Sequence, residues 1–273
     1  MPFRPINSDH SVSAASFQLQ FATMIPANVV AAVKANADLW QKHLPAVSLG
    51  QVMQFQVAPD GIGASAVRPG EGIEFSFMRP DGTPAWVMRV QGNAVAVECS
   101  RYTRWHSVFA QASGYLRDFL RVAADVDPSL GVTNIVLVVV DDFLWFGESD
   151  RKDYDLRKLL APGPRLAEIA FSVGAVFHSN IGWFEADEQF GGDVLQILNV
   201  ASSHSDPLCV ANNAQAHINI QQVQDYRRPW TIGQLSSEFD TTFTGLFEKM
   251  HIRNKSVLQE ILVTDAAKEI GLS

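Results

Sequence analysis

The side chains best suited to chemistry lie in the second half of the chain. His204, Asp206 and His217 bring two imidazoles and a carboxylate into one stretch, the donor types of a metal centre. With Asp141 or Asp142 added, the same set could activate water for metal-assisted hydrolysis or nuclease chemistry. The spacing does not enforce this reading. Residues 202–207 are polar and read as a loop, His217 opens an apolar strand, and the i, i+4 histidine pair of helical metal sites is missing. Solvated loop histidines account for the same residues.

A second concentration of chemistry runs from Asp141 to Asp155. It holds Asp141, Asp142, Glu148, Asp150, Asp153 and Asp155 against only Arg151 and Lys152, with Phe143, Trp145 and Phe146 embedded. Aromatic anchors supply burial at an interface and a charged rim steers encounter. Trp145, Asp150 and Asp153 are therefore expected to bind a basic protein partner; a solvated acidic loop and a Mg²⁺ site are the alternatives. Tyr226, Arg227, Arg228 and Trp230 form the other aromatic and cationic cluster. It is expected either to bind a partner, through bidentate and stacked arginines, or to be a linker pinned by Trp230.

Other motifs point nowhere in particular. Residues 61–66, Gly-Ile-Gly-Ala-Ser-Ala, match a dinucleotide fingerprint, but Val67-Arg68-Pro69-Gly70 follows instead of the helix that would face a pyrophosphate, so a loop is expected. Cys99 with His106 could form a thiol nucleophile and base, yet Cys99 alternates with Val95 and Val97 as a buried strand residue would. Arg117 and Arg121 read as the solvated face of a helix. No catalytic residue and no cofactor is assigned.

The elements that must position these groups follow from periodicity. Phe17, Leu19 and Phe21 alternate with Gln18 and Gln20 as a strand, and Pro26 opens a helix to about Leu44. Met53, Phe55 and Val57 alternate again. A three-stranded meander spans residues 73–99, joined by Asp81-Gly82 and Gly92-Asn93 turns. A helix capped by Thr103 carries the stripe Trp105, Phe109, Ala112, Leu116 and Phe119, and a β-rich run covers residues 134–146. Strands are then expected at 166–177, 181–188, 194–202 and 217–223. Two apolar helical stripes and a short helix begun by Thr264 and Asp265 close the chain. Strand runs broken by helices indicate an α+β protein. We expect two mostly antiparallel sheets covered by long amphipathic helices, in halves 1–160 and 161–273 that could be a pseudo-duplication.

Composition narrows the classes. The 273 residues contain 21 Lys plus Arg and 29 Asp plus Glu, a net charge of −8, which opposes general binding to phosphate backbones. Hydrophobic residues reach 47% and charged ones only 18%, which excludes a disordered chain and suggests neutral surface open to an interface. Two cysteines cannot build a disulfide framework. The start, MPFRPINSDHSVSA, lacks the apolar centre of a secretory signal, and the longest apolar run stops at Asp141, so a cytoplasmic protein without membrane spans is expected.

Tyr102, Trp105 and Phe109, in a Tyr-x-x-Trp-x-x-x-Phe helix after the meander, together with Thr264 and Asp265 near the end, give a layout that resembles a sporadically distributed bacterial family of uncharacterised proteins of similar length. Where such proteins carry an Arg-x-Gly-Leu-Arg-Tyr strand, this chain has residues 130–135, Leu-Gly-Val-Thr-Asn-Ile. The resemblance implies no reaction; its patchy distribution is like that of defence, toxin–antitoxin or immunity genes. The expected function is thus a non-enzymatic protein-binding component of such a bacterial system, with a homo-oligomer left open. The alternatives are a metal-assisted hydrolase or nuclease, or a binder of an apolar small ligand.

Overall fold

A computed structural model describes residues 2–52, 55–58, 61–64 and 68–272. In chain order the first elements are β1 (Phe3–Pro5), β2 (Val12–Phe21), α1 (Ala27–Ala35), α2 (Asp38–Gln41), β3 (Ala46–Val52), β4 (Phe55–Ala58) and β5 (Gly61–Ala64). Next come β6 (Arg68–Met78), β7 (Pro84–Gln91), β8 (Ala94–Cys99), α3 (Trp105–Val126) and β9 (Gly131–Trp145). The remainder comprises β10 (Phe177–Ala186), β11 (Asp193–Ser203), α4 (Pro207–Asn212), β12 (Ala216–Thr231), α5 (Ile232–Ser237), α6 (Thr244–Ile261) and α7 (Thr264–Glu269). The class is α+β. In place of two large sheets there is one ten-stranded sheet, ordered β10-β11-β12-β9-β2-β8-β7-β6-β3 with β1 on β9, and a two-stranded ribbon of β4 and β5. Among the described residues no helix is long and apolar enough to cross a membrane.

Two compact units divide the chain discontinuously rather than at residue 160: residues 1–15, 137–225 and 245–273 form the first, and 16–136 with 226–244 the second. In the second unit the meander β6-β7-β8 is antiparallel, with Ile73 opposite Val90 and Val90 opposite Val95. Against it lies α3, whose buried stripe includes Phe109, Ala112, Leu116, Phe119 and Ala123, the 3.6-residue pattern read from the sequence. Each large member contributes about 1.5–3 kcal/mol on burial. The helix starts one residue later than Thr103 would dictate, at an Arg104 N-cap without a side-chain bond. The expected helix to Leu44 breaks into α1 and α2. Asn36 ends the first by donating its side-chain amide to the Ala32 carbonyl at 2.9 Å, and Trp40 is buried with its Nε1 donating to the Tyr115 carbonyl. Residues 61–64 of the glycine motif are a strand paired with β4; Ser65, Ala66, Met53 and Gln54 lie outside the described residues.

In the first unit, β1 pairs antiparallel with β9, Phe3 opposite Trp145, and β10 pairs antiparallel with β11 over its whole length. The core beneath joins Phe3, Phe143, Trp145, Leu198, Val200, Ile218, Ile220, Leu258 and Ile261. The strand expected at 166–177 is absent. Leu166 and Ala170 are both buried, a spacing of four that suits a turn, and Glu168–Phe171 is a 3₁₀ turn. Arg157 fixes it by pairing with Glu168, donating to the Phe171 carbonyl and stacking over the Phe171 ring at 5.1 Å. The next strand therefore begins at Phe177, not Ile181.

Candidate functional site

Three of the sequence-predicted chemical residues do meet, all within the first unit. Asp142 projects from β9, His217 from β12, and Asp206 is the N-cap of α4, its Oδ1 accepting the Leu208 N–H at 2.8 Å. His217 Nε2 donates to Asp142 Oδ1 at 2.8 Å, and its Nδ1 lies 3.3 Å from Asp206 Oδ2. Asn219 adds a 2.7 Å bond to the same Asp142 oxygen. Burial pulls the Asp142 carboxyl up, but bonds from His217, Ser13 and Asn219 and the imidazolium charge outweigh it and hold it below its usual range. Burial likewise pushes His217 down, and the two carboxylates outweigh that and raise it. His204 stays exposed on the turn before Asp206.

This is the orientation of a carboxylate–imidazole relay, but its consequence is structural. Both ring nitrogens are taken by carboxylates on opposite sides, so the imidazole offers neither a base to a nucleophile nor a lone pair to a metal. No group of three or more His, Cys, Asp or Glu side chains is arranged to hold a metal ion among the described residues. Neighbouring Asp141 points into the core, its Oδ1 accepting from Ser11 Oγ at 2.6 Å and its Oδ2 buried without a partner. Burial raises this carboxyl to about 7, with Asp142 adding to the rise. Cys99 is buried and its thiol is pushed up to about 11 by burial; Cys209 is raised for the same reason. Neither is a ready thiolate nucleophile.

The acidic segment is anchored inward by Trp145, while its carboxylates at Glu148, Asp150 and Asp153 stay exposed. Trp145, expected as an exposed anchor, is fully buried in the core, and Gly147 passes so close that a Cβ there would stand 2.0 Å from the indole ring. Asp150 and Asp153 cap their own turn: Asp150 accepts the Lys152 N–H and pairs with the Lys152 ammonium at 2.6 Å, and Asp153 accepts the Glu148 N–H. In the second unit, Tyr226 and Trp230 are also buried, with ring centroids 5.6 Å apart. Arg227 and Arg228 are exposed, Arg228 sits over the Trp230 ring at 5.6 Å, and the segment is the end of β12. The aromatic halves of both expected partner sites are core residues. Alternation along β12 puts Tyr226 inside, and Trp145 lies in a stretch of β9 buried at every residue from Asp141, which charge patterning alone does not reveal.

The surface that the sequence reading missed is the outer edge of β10. This strand ends the sheet, and no other strand pairs with its far side among the described residues. Its ten residues run against β11 in unbroken register and contain no Pro, Lys or Arg. The opposite edge strand, β3, carries a register shift between Gly50 and Val52. Exposed residues alternate along β10 at His178, Asn180, Gly182, Phe184 and Ala186; Phe184 is 62% exposed, and Val176 just before the strand is 55% exposed. The other face is anchored, with Trp183 under the Arg165 guanidinium at 4.1 Å. At the hairpin end Asp187, its side chain fully buried, binds Lys249 at 2.8 Å and Arg253 at 3.1 Å and accepts the N–H groups of Gln189 and Phe190. The Lys249 and Arg253 cations outweigh burial and hold the Asp187 carboxyl low.

No protein-family model matches the chain, and no curated protein matches it.

Proposed function

We propose that the protein is a non-enzymatic protein-binding component that takes up an extended polypeptide as an added strand on β10. The observation that carries this reading is the open, bulge-free ten-residue edge, which holds no Lys, Arg or Pro and whose one carboxylate, Glu185, is paired with Arg253. Folded proteins ordinarily blunt such an edge with Lys, Pro, a bulge or a covering loop, because its free N–H and C=O groups template another strand. In strand addition those backbone groups supply affinity and alternate side chains supply selectivity. Phe184 and Val176 provide the apolar contacts, and the anchors at Trp183 and Asp187 hold the edge in shape before anything binds, which lowers the ordering cost of association. The resemblance in layout supplies the context of a bacterial defence, toxin–antitoxin or immunity system; the edge supplies the means.

The test is native mass spectrometry of tagged protein purified gently from its own host, beside a double variant N180K/F184K that puts charge on the exposed face of the edge. The reading predicts an added protein mass, of another chain or of this one, that the variant loses while keeping its unfolding midpoint. A complex retained in full by the variant overturns it.

A further inference from the structure

The strand edge is self-complementary about one residue. On the exposed face of the first unit, Asn180 donates its side-chain amide to Asn199 Oδ1, and Asn199 donates in turn to Gln221 Oε1 at 3.0 Å. The three side chains form a row of amides that crosses β10, β11 and β12 and arrives at the sheet edge with Asn180. An amide both donates and accepts, so it matches a second copy of itself.

An antiparallel pairing of β10 with its own image, with the two-fold axis at Asn180, sets each residue opposite its reflection. Val176 then faces Phe184, which pairs two of the exposed apolar side chains of this region. His178 faces Gly182, a large residue against a vacant position. On the other face Phe177 meets Trp183 and Ser179 meets Ile181. Opposed aromatic and β-branched pairs stabilise antiparallel strands, and opposed like charges destabilise them. Residues 176–184 contain no Asp, Glu, Lys or Arg, so the pairing opposes no such charges. This matters because the chain carries a net charge of −8 and its copies repel one another over most of their surface.

Resting on the strand-edge reading above, we infer that the occupant of β10 is a second copy of this chain, added antiparallel about a two-fold axis at Asn180 so that the amide row continues across the junction. The interface is isologous, the commonest symmetry of soluble oligomers. One added strand on each side buries less than the roughly 1,600 Å² of a standard stable interface, so the dimer dissociates on dilution.

Sedimentation velocity of the full chain over a concentration series, with N180K/F184K alongside, tests this together with an oxidised Asn180→Cys variant. Cys99 and Cys209 are buried, so the new thiol is the reactive one. The expected result is a wild-type dimer that dissociates on dilution, a monomeric N180K/F184K, and a disulfide-linked Asn180→Cys dimer. A Val210→Cys control, 84% exposed on α4, should cross-link far less. A wild type that is monomeric at every concentration, a dimer that survives N180K/F184K, or equal cross-linking of the two cysteine variants overturns the second copy as occupant. The edge reading fails separately: if the chain is monomeric but its host complex is lost in N180K/F184K, the edge stands with another protein on it, and if that complex survives, both fall.

Discussion

His217 and Asp142 form an ion pair buried across two strands, Nε2 to Oδ1 at 2.8 Å, and Asp206 closes the other side of the same ring at 3.3 Å. The most chemically suggestive residues of the chain are thereby spent on each other. A free imidazole or an unshared carboxylate would have favoured hydrolysis; the closed arrangement favours a scaffold that fastens α4 to the sheet.

Removing one partner of such a pair leaves the others buried and uncompensated, at a cost of about 3–5 kcal/mol. His217→Ala is expected to lose stability of that order in urea unfolding near pH 6. The pH dependence has a definite sign. His217 is raised in the folded chain, so its contribution is complete below its unfolded value of about 6.5 and is lost as pH rises through the higher folded value. Asp142 is lowered, so its contribution is present above about 3.9 and is lost as pH falls through the lower folded value. His217→Ala should therefore approach wild type at high pH. A constant difference from pH 5 to pH 10 would contradict this.

Asp141 has the opposite pH dependence to Asp142. Its carboxyl is raised to about 7 in the folded chain, which binds an extra proton from about pH 4 upward, so stability falls as pH climbs toward that value. Asp141→Asn keeps the acceptor for Ser11 and removes the buried charge. It should raise the melting temperature clearly at pH 8 and little at pH 4. Thermal scans that show the same shift at both pH values would refute the assignment.

Trp145 is a stability residue and not a binding residue. Trp145→Ala should cost about 3–5 kcal/mol through the cavity it leaves. Asp150→Asn with Asp153→Asn, on an exposed turn, should leave the unfolding midpoint essentially unchanged and leave any host complex intact. Chemical unfolding and native mass spectrometry of the two proteins separate these outcomes.

Asp187 links the core to the edge strand. Asp187→Ala leaves Lys249 and Arg253 without their carboxylate and the Gln189 and Phe190 N–H groups without their acceptor, at the end of the β10–β11 hairpin. Stability should drop by about 3–5 kcal/mol. Hydrogen exchange should also quicken across β10 more than across β7 and β8.

Much of the architecture was legible from periodicity. The β7–β8 hairpin, α3, β11 and the short α7 stand within a few residues of the pattern that predicts them, because each buries one regular face. Most of the two closing apolar stripes, by contrast, lies on one continuous helix, α6, and β2 and β6 begin about five residues earlier than expected. What escaped was set by tertiary context. Residues 166–176 have strand-like apolar content, but Arg157 holds them in a turn, and that displaced the start of β10 by four residues. Asp206 and His217 could be picked out by residue type, whereas their meeting with Asp142 depends on which strands are neighbours. Trp145 and Tyr226 looked like surface anchors beside charges, yet Tyr226 falls on the buried face of the alternating β12, and Trp145 ends a stretch of β9, Asp141–Trp145, that is buried throughout. An edge has no sequence signature of its own: whether β10 has one neighbour or two is decided by the order of the sheet.

The most direct test of strand addition is amide hydrogen exchange across residues 177–186, read at a concentration where the complex forms and at one where it does not. Strand addition predicts slower exchange at alternate β10 amides on complex formation, no change over β3, and loss of that protection in N180K/F184K. Exchange at β10 that is the same in the complex and in the free chain would contradict it.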